Sequence, residues 1–434
     1  MKYYSTNRKS PEVGLKDAVI KGLAPDRGLY MPEKIPVLPL SFYDKISDFS
    51  FQETAFRVAE AFFGGDVDND ILKSTVYDTL CFDTPLVGLG ERIFSLELFH
   101  GPTLAFKDVG ARFMARLLAY FVKKEGLERV NVLVATSGDT GSAVANGFLG
   151  VEGIHVFVLY PKGKVSPIQE CQFTTLGQNI TAVEVEGTFD DCQALVKSAF
   201  LDGELNAKMN LTSANSINVA RFLPQSFYYF NAYAQLVRQG IHDNIVICVP
   251  SGNFGNLTAG LFARGMGLPV KRFIAANNRN DVFYEYLKTG QYRPRASVQT
   301  LANAMDVGAP SNFTRIIDLY KDDYEKIKSL ISGWRTDDDK IRQTVAECFR
   351  KTGYLLDPHG ACGYDALQNL LRDGETGVFL ETAHPAKFRE TIEGIIGKPL
   401  EIPQKLQEFM KGRKQTVEIP ADFAALKVEL LKRG

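Results

Sequence analysis

The chain lacks the features that mark secreted, membrane-spanning and nucleic-acid-binding proteins. Among its 434 residues, 50 bases nearly cancel 51 acids, so neither a polyanion nor an anionic membrane surface is expected as a partner. No run approaches the ~20 apolar residues of a membrane span. The six cysteines include no Cys-x-x-Cys pair, which indicates thiols of a reducing compartment and neither a disulfide framework nor a zinc site. The first residues have no apolar signal core, so we expect a cytoplasmic protein.

Familiar nucleotide and nucleophile motifs are also missing. No GxxxxGK[ST] phosphate loop, GxGxxG dinucleotide fingerprint or GxSxG nucleophile elbow occurs. What is present is an ordinary globular composition, 45% hydrophobic and 23% charged. A chain of 434 residues exceeds one ordinary core, so two or three domains or lobes are expected.

Hydrophobic patterns divide the chain near residue 85. Before it, apolar residues at helical spacing predict a helix over Phe51–Phe63, and residues 1–85 are expected to form a helical module of their own. Beyond it, short apolar strands alternate with loops and helices, which predicts an α/β fold with parallel sheets and helices on both faces. The predicted strands are Val130–Ala135, His155–Tyr160, Ile180–Val185, Ile245–Val249, Arg272–Ala276 and Val378–Glu381.

The segment His100–Asp108 places a lysine where a loop enters a helix. A Gly-Pro turn precedes Phe106, and Lys107 opens an amphipathic run that reaches about Glu125. Burial lowers the pKa of an ammonium group because the charged form loses water. Lys107 is therefore a candidate to form a Schiff base with an aldehyde cofactor. The alternative is a surface lysine in the first turn of a helix.

Two glycine-rich loops follow predicted strands. Ser251–Asn256 would present backbone N–H groups at a helix N-terminus, where the helix dipole favours an anion, so it is a candidate phosphate cradle. Thr136–Gly141 has the same position and adds hydroxyl groups, so a second anion such as a carboxylate is expected there. Ligands of parallel α/β folds lie beyond the carboxyl ends of the strands. Each loop could equally be a tight structural turn.

Two further polar clusters could complete a site. If Asn215–Arg221 is helical, Asn218 and Arg221 share a face, and an arginine fork suits phosphate; a capped helix with an exposed arginine is the alternative. Thr382 follows a predicted strand and could offer a hydroxyl to a ring nitrogen, whereas His384 is expected to be structural. A lysine, a phosphate cradle, two anion patches and a strand-end hydroxyl together suit pyridoxal phosphate.

These segments, taken in order, resemble the threonine synthase family. The segment around Lys107 resembles the pyridoxal-lysine signature of that family. Its other motifs are matched by Ala135–Gly141, Asn215–Arg221, Pro250–Asn256 and Glu381–Phe388. The N-terminal module resembles the longer bacterial and fungal branch, and the resemblance covers nearly the whole chain. It implies fold type II of the pyridoxal-phosphate enzymes, the tryptophan-synthase-β-like fold.

The resemblance also implies a reaction. The reaction is the last step of threonine biosynthesis, in which a carbon–oxygen lyase uses pyridoxal phosphate to convert O-phospho-L-homoserine and water to L-threonine and phosphate. It proceeds by γ-elimination and β-addition of water. The expected division is a module at 1–85 and a catalytic region at 86–434, with a smaller lobe at about 110–215 and a larger lobe at 86–109 and 216–434. A monomer is expected, with a homodimer as the alternative, and no nucleic-acid or membrane partner.

Residue roles follow by carry-over from the family. Lys107 is expected to bind the cofactor, beside Phe106, and to shuttle protons. The cofactor phosphate is expected on Gly252, Asn253, Phe254, Gly255 and Asn256, with Thr382 facing the ring nitrogen. The substrate is expected on Thr136, Ser137 and Thr140 through its carboxylate and on Ser216, Asn218 and Arg221 through its phosphate, and Asp139 is expected among the substrate-binding residues. Many relatives of the fold carry an asparagine at the place of Asp139, where it contacts the ring hydroxyl of the cofactor. An acid cannot donate that hydrogen bond unless it is protonated.

Two other functions stay open on the residues alone. One is another enzyme of the same fold, such as a threonine or serine dehydratase or a cysteine-synthase-like β-replacement enzyme. Those substrates need a smaller phosphate pocket or none, so convergence of Ser216, Asn218 and Arg221 on the site would discriminate against them. The other is a regulatory protein that binds a phosphate ester and retains the fold without the chemistry.

Overall fold

The computed structural model describes residues 1–434. Its strands are β1 (Lys2–Ser5), β2 (Val13–Gly14), β3 (Tyr30–Pro32), β4 (Leu86–Gly88), β5 (Ile93–Glu97), β6 (Val130–Ala135), β7 (Ile154–Pro161), β8 (Ile180–Glu186), β9 (Leu211–Ser213), β10 (Ile245–Pro250), β11 (Arg272–Asn277), β12 (Ile331–Arg335), β13 (Thr376–Glu381) and β14 (Val417–Pro420).

Twenty α-helices surround these strands. They are α1 (Leu15–Lys21), α2 (Leu40–Asp44), α3 (Phe51–Phe63), α4 (Asn69–Thr79), α5 (Lys107–Lys124), α6 (Asp139–Phe148), α7 (Pro167–Thr174), α8 (Phe189–Leu201), α9 (Gly203–Lys208), α10 (Val219–Phe222), α11 (Ser226–Arg238), α12 (Gly255–Gly265), α13 (Val282–Thr289), α14 (Phe313–Leu319), α15 (Tyr324–Leu330), α16 (Asp338–Thr352), α17 (Pro358–Leu370), α18 (Arg389–Ile396), α19 (Gln404–Met410) and α20 (Phe423–Arg433). No helix combines the length and the apolar character that a membrane span requires.

Three sheets organise the molecule. The N-terminal segment forms a small antiparallel sheet in the order β2-β1-β3, which the expectation of a purely helical module missed. A six-stranded sheet has the order β12-β11-β10-β13-β5-β4 and is parallel except at the β4–β5 edge. A five-stranded, wholly parallel sheet has the order β14-β8-β7-β6-β9. The predicted α/β fold with parallel sheets is confirmed.

Local patterns account for most element boundaries. The predicted helix α3 has the bounds Phe51–Phe63, and it begins there because the Ser50 hydroxyl accepts the Glu53 N–H at 3.1 Å. The strand Val130–Ala135 also has its predicted bounds, and the other five predicted strands lie within strands that are one or two residues longer. Their side chains are almost all buried, as expected for strands covered on both faces.

The C-terminal segment departs from the expected lobe division. The resemblance places residues 216–434 in the larger lobe, but β14 pairs with β8 at the edge of the five-stranded sheet. Helix α20 covers the same sheet, where Leu426 and Leu430 join the cluster formed with Cys192 and Leu195 of α8. The chain therefore returns to the smaller lobe at its end. There β14 pairs with the edge of β8, and α20 covers the apolar face of the sheet.

Candidate active site

One cavity lies where the carboxyl ends of strands from both large sheets meet. The segments that follow β5, β6, β9, β10 and β13 all contribute to its wall, as expected for parallel α/β folds. Counted to its open mouth, it encloses about 830 Å³. Thirteen of the fifteen residues expected in the site line it: Phe106, Lys107, Thr136, Ser137, Thr140, Ser216, Arg221, Gly252, Asn253, Phe254, Gly255, Asn256 and Thr382.

Lys107 is the first residue of α5 and faces this cavity. Its ammonium group forms no hydrogen bond within the protein, and its nearest aromatic contact is the Phe106 ring, 5.6 Å from Nζ to the ring centroid. Burial lowers the pKa of Lys107 to about 8; the nearby Asp139 carboxylate opposes this shift, while the positive charges of Arg221 and Lys387 add to it. The alternative of a surface lysine does not hold, and the amine is poised to react.

The loop after β10 presents unpaired donors to the cavity. No protein atom accepts a hydrogen bond from the backbone N–H groups of residues 252–256, which lead into α12. The side chain of Asn256 instead braces the loop, because Nδ2 donates to the Pro250 carbonyl at 2.8 Å and Oδ1 accepts from the Ser251 hydroxyl at 2.9 Å. An arc of free N–H groups at a helix N-terminus is an anion site.

Tight packing holds this loop in its conformation. Phe254 has a left-handed backbone, with φ of 60°, and its ring lies 4.6 Å from that of Phe283 between centroids. A non-glycine residue adopts this region only where its surroundings compensate the strain. A Cβ at Gly252 would lie 2.7 Å from the Met305 Cα atom, so no side chain is tolerated there.

The loop after β6 has a similar construction. Thr136 Oγ1 accepts from the N–H groups of Gly138 at 3.0 Å and Gly141 at 2.8 Å, so this hydroxyl shapes the turn. Ser137 and Thr140 line the cavity, and their hydroxyl groups have no hydrogen-bond partner in the protein. These two hydroxyls are therefore the free donors of the second loop.

Ser216 and Arg221 face the cavity from the segment after β9. The Ser216 hydroxyl accepts from Asn253 Nδ2 at 3.0 Å and from Asn312 Nδ2 at 2.9 Å, which leaves its own proton free to donate. Arg221 donates through Nε to the Ala214 carbonyl at 2.7 Å and through Nη1 to the Lys107 carbonyl at 3.2 Å. Its Nη2 has no protein partner, so a charged donor remains available beside Lys107.

Two expected site residues do not line the cavity. Asn218 caps α10 by accepting from the Ala220 N–H at 3.0 Å, and its Nδ2 donates to the carbonyl of Val19 at 2.9 Å. The helix expected over 215–221 therefore begins only at Val219. Asp139 is buried against Lys387, with 2.5 Å between Oδ1 and Nζ.

The Asp139–Lys387 pair ties three segments of the site together. Lys387 Nζ also donates to the Thr103 carbonyl at 2.8 Å, and Gln169 Nε2 donates to Asp139 Oδ1 at 2.8 Å. Burial alone would raise the pKa of Asp139, but the charges of Lys387 and Lys107 and these hydrogen bonds lower it to about 2. Asp139 is thus an ionised acceptor, and it lies close enough to Lys107 to affect the charge of that amine.

Sequence reasoning missed several residues of the cavity wall. They are Phe189, Gln193, Asn215, Gln225, Ala304, Met305, Val307 and His359. His359 could have been suspected from the Asp-Pro-His start of α17. Its Nδ1 lies 2.5 Å from Asp357 Oδ1, and its Nε2 accepts from the Ala304 N–H at 3.1 Å, so Nδ1 carries the proton. The histidine thereby fixes the turn that packs on Gly252.

A buried acid lies behind this histidine and Thr382. Glu381 Oε1 accepts from the Asp357 N–H at 2.5 Å, and its Oε2 has no partner. Burial and the adjacent Asp357 carboxylate raise the pKa of Glu381 well above its ordinary value. The segment Glu381–Phe388 thus contributes a buried acid as well as the Thr382 hydroxyl. His384, expected to be structural, accepts from the Ala386 N–H at 3.1 Å.

The donor set of the cavity fits pyridoxal phosphate. A reactive amine without a protein partner, an arc of free N–H groups for a phosphate and a free strand-end hydroxyl on Thr382 surround one space. Each of these groups matches one part of that cofactor: the aldehyde, the phosphate and the ring nitrogen.

Comparison with known proteins also indicates a pyridoxal-phosphate enzyme, and the similarity extends along the whole chain. Models of three families match: pyridoxal-phosphate dependent enzymes over 75–381, the threonine synthase N terminus over 2–80 and the threonine synthase C-terminal region over 360–428. The threonine synthase of Escherichia coli is 44% identical over 98% of both chains. The chain belongs to the threonine synthase family. Pyridoxal phosphate is its cofactor.

Solved structures of this family superpose on the chain. The crystal structure of threonine synthase from Escherichia coli matches with a TM-score of 0.94 over 100% of both chains, at 44% identity. The pyridoxal-phosphate-bound threonine synthase from Brucella melitensis matches with a TM-score of 0.92 at 35% identity, over 100% of this chain and 99% of that one. The fold implied by the resemblance, fold type II, is confirmed.

Proposed function

We propose that the cavity converts O-phospho-L-homoserine and water to L-threonine and phosphate, with Lys107 as the catalytic residue. The observation that carries this proposal is the convergence of one reactive amine and three separate groups of free anion donors on one space. A dehydratase acting on serine or threonine needs one anion site for the cofactor and one for a carboxylate. The third group, at Arg221, has a use only when the substrate carries a phosphate of its own.

The residues that hold the cofactor are those with unpaired groups. Lys107 binds its aldehyde carbon, the N–H groups of residues 252–256 bind its phosphate, and Thr382 faces its ring nitrogen. Ser216 donates its free proton beside the same loop, since it is bonded to Asn253 and lies against Gly255. When bound, the cofactor accepts the electron pair that is left when a proton leaves the α carbon of the substrate.

Two separate donor groups in the same cavity wall as Lys107 hold the charged ends of the substrate. Ser137 and Thr140 donate to its carboxylate, and Arg221 holds its phosphate through the free Nη2. Asp139 and Asn218 contribute indirectly, since the first positions Lys387 and the second fixes the segment that carries Arg221. In this arrangement the three charged groups of the substrate complex are all matched by fixed donors.

The free Lys107 amine then moves protons while the other groups stay fixed. Neutral amine removes the α proton, which the lowered pKa permits near neutral pH. Arg221 stabilises the phosphate as it leaves the γ carbon, because the developing negative charge is held by a fixed cation. A proton also leaves the β carbon, and the γ carbon takes up a proton as phosphate departs. Water then adds its hydroxyl to the β carbon, and the Lys107 ammonium returns a proton to the α carbon.

The substrate's phosphate provides the test. Purified chain is given O-phospho-L-homoserine, L-serine or L-threonine, and threonine, phosphate and keto acid are measured. We expect equal amounts of threonine and phosphate from the first compound. Arg221→Lys should raise KM for O-phospho-L-homoserine at least about tenfold, because a lysine cannot keep both carbonyl bonds that aim the free Nη2 and still reach the phosphate.

A matched arginine controls for the substitution itself. Arg264 lies on α12, with Nε donating to the Val270 carbonyl at 3.0 Å, outside the cavity wall. Arg264→Lys should leave KM unchanged. Keto acid from serine or threonine without phosphate-dependent turnover would replace the proposal with a dehydratase.

The location of the protein in the cell and its oligomeric state are also proposals. We infer a cytoplasmic location from six cysteines that are all unpaired. A single chain carries every group assigned to the cavity, which is compatible with activity as a monomer. Analytical ultracentrifugation of the active enzyme tests the second point.

A further inference from the structure

Arg315 is a fully buried arginine that lies behind the cavity without a carboxylate partner. It sits on α14 with no exposed surface. Nη1 donates to the Ser216 carbonyl at 2.8 Å and to Asn312 Oδ1 at 2.6 Å, and Nη2 donates to the carbonyls of Tyr30 at 3.1 Å and Ile217 at 2.5 Å. All four acceptors are neutral.

An unpaired charge in this position is costly unless something balances it. Burial of a charge without an opposite partner is strongly unfavourable. The Phe222 ring, 4.0 Å from the guanidinium carbon, offers partial compensation. Burial lowers the pKa of Arg315 to about 9, so the group is still charged at neutral pH. A nearby anion would supply the missing charge.

Asn312 connects Arg315 to the phosphate cradle. Its Oδ1 accepts from Arg315, and its Nδ2 donates to the Ser216 hydroxyl at 2.9 Å and to the Asn253 carbonyl at 3.0 Å. Asn253 in turn donates to the same hydroxyl at 3.0 Å. Both acceptor positions of that hydroxyl are filled, so its proton is directed away from Asn312 and Asn253. Arg315 therefore fixes which way the amide of Asn312 faces, and Asn312 fixes the donors of the cradle.

The same arginine reaches the N-terminal module. Tyr30 lies on β3, and its carbonyl accepts from Nη2. A second contact of this kind is the bond from Asn218 to the Val19 carbonyl on α1. The module thus supports the segment 216–221 from behind, at two points that are held by backbone carbonyls.

We propose that Arg315 and Asn312 are positioning residues of the phosphate cradle, and that Arg315 supplies the buried positive charge that balances the cofactor's phosphate. This rests on the assignment of residues 252–256 as the cradle in the proposed function. Neither residue touches the reacting atoms. The N-terminal module takes part because the Tyr30 carbonyl accepts a hydrogen bond from one edge of the guanidinium.

The test compares pyridoxal phosphate with pyridoxal, which lacks the phosphate. Full-length chain freed of cofactor is titrated with each compound by absorbance, and inorganic phosphate is used as a competitor. Asn312→Asp places a carboxylate beside Arg315 and removes the donor to Ser216. We expect the Kd for pyridoxal phosphate to rise at least about tenfold and the Kd for pyridoxal to stay within about twofold. Competition by inorganic phosphate should be lost as well.

Two arginine variants keep the inference testable if that variant does not fold. Arg315→Met removes the charge, whereas Arg315→Lys keeps it with fewer donors. The preference for pyridoxal phosphate over pyridoxal should fall furthest in Arg315→Met and be partly retained in Arg315→Lys. A purely structural role would instead weaken both compounds together, which would overturn the inference.

Two control variants distinguish a failure of the role of Arg315 and Asn312 from a failure of the cradle assignment. Asn231 is buried, and its Nδ2 donates to Thr84 Oγ1 at 2.7 Å, outside the cavity wall. Asn231→Asp makes the same charge change and should leave the preference unaltered. Gly252→Ala disturbs the cradle directly. If only Gly252→Ala loses the preference, the role of Arg315 and Asn312 is wrong; if no variant loses it, the cradle is misassigned.

Discussion

The charge of Lys107 is the property on which the chemistry depends most directly. Burial lowers its pKa from 10.5 to about 8. At pH ~7.5 about a quarter of the amines are then neutral, against about one in a thousand for an ordinary lysine. The rate at which the cofactor-free chain takes up pyridoxal phosphate should therefore follow a titration curve with its midpoint near pH 8, because only the neutral amine attacks an aldehyde.

Two substitutions should move that midpoint in opposite directions. The Asp139 carboxylate raises the pKa of Lys107, so Asp139→Asn should shift the midpoint below that of the native chain. Lys387 carries a positive charge that lowers the pKa, so Lys387→Met should shift it upward. Stopped-flow absorbance between pH 6 and 10.5 measures all three curves. A native midpoint at or above pH ~10 would contradict a lowered pKa, because Lys107 would then ionise as a solvated lysine does.

Three further changes test the surrounding structure. Asp139→Asn should reduce the free energy of unfolding by about 3 kcal/mol at pH 7, since Lys387 loses a buried partner. Because the pKa of Asp139 is about 2, the difference in stability between the variant and the native chain should shrink as pH falls from about 4 towards 2. Urea unfolding at several pH values measures this difference. Glu381→Gln should make the chain more stable at pH 8 than the native form and flatten the pH dependence. The raised pKa of Glu381 means that the native chain keeps a proton which the unfolded chain releases above pH ~4.5, so unfolding at pH 5 and pH 8 should differ less; an unchanged dependence contradicts this. Gly252→Ala should weaken pyridoxal phosphate binding at least about tenfold, because its Cβ would lie 2.7 Å from the Met305 Cα atom. Fluorescence titration measures the Kd, and an unaltered Kd would contradict this prediction.

The sequence predicts those parts of the fold that depend on neighbours along the chain. The strand Val130–Ala135 and the helix Phe51–Phe63 have their predicted bounds because apolar runs and a capping serine act over a few residues. The site loops could be located for a related reason. Glycine-rich turns after buried strands must lie at the carboxyl edge of a parallel sheet, which is where Lys107, residues 252–256 and Thr382 meet.

Contacts between distant segments could not be predicted in this way. Asn218 was expected to face a phosphate, but the Val19 carbonyl, 199 residues away, holds its amide. Lys387 lies in the segment Glu381–Phe388, and nothing near it in the sequence indicates that its partner is Asp139, because that contact forms only when the two lobes come together. Arg315 carries no local signal, because its burial depends on carbonyl groups from β3 and the segment after β9. The return of β14 to the smaller sheet is of the same kind.

Absorbance during titration with O-phospho-L-homoserine reports on the cofactor, the substrate and Lys107 in one experiment. The purified enzyme is scanned in the visible range while substrate is added and released phosphate and threonine are measured, with Lys107→Ala as the control. We expect a cofactor band that shifts on addition, threonine and phosphate formed in equal amounts, and no turnover in the variant. A Lys107→Ala protein with near-native turnover, or a native chain that shows no visible band after pyridoxal phosphate is added, would contradict it.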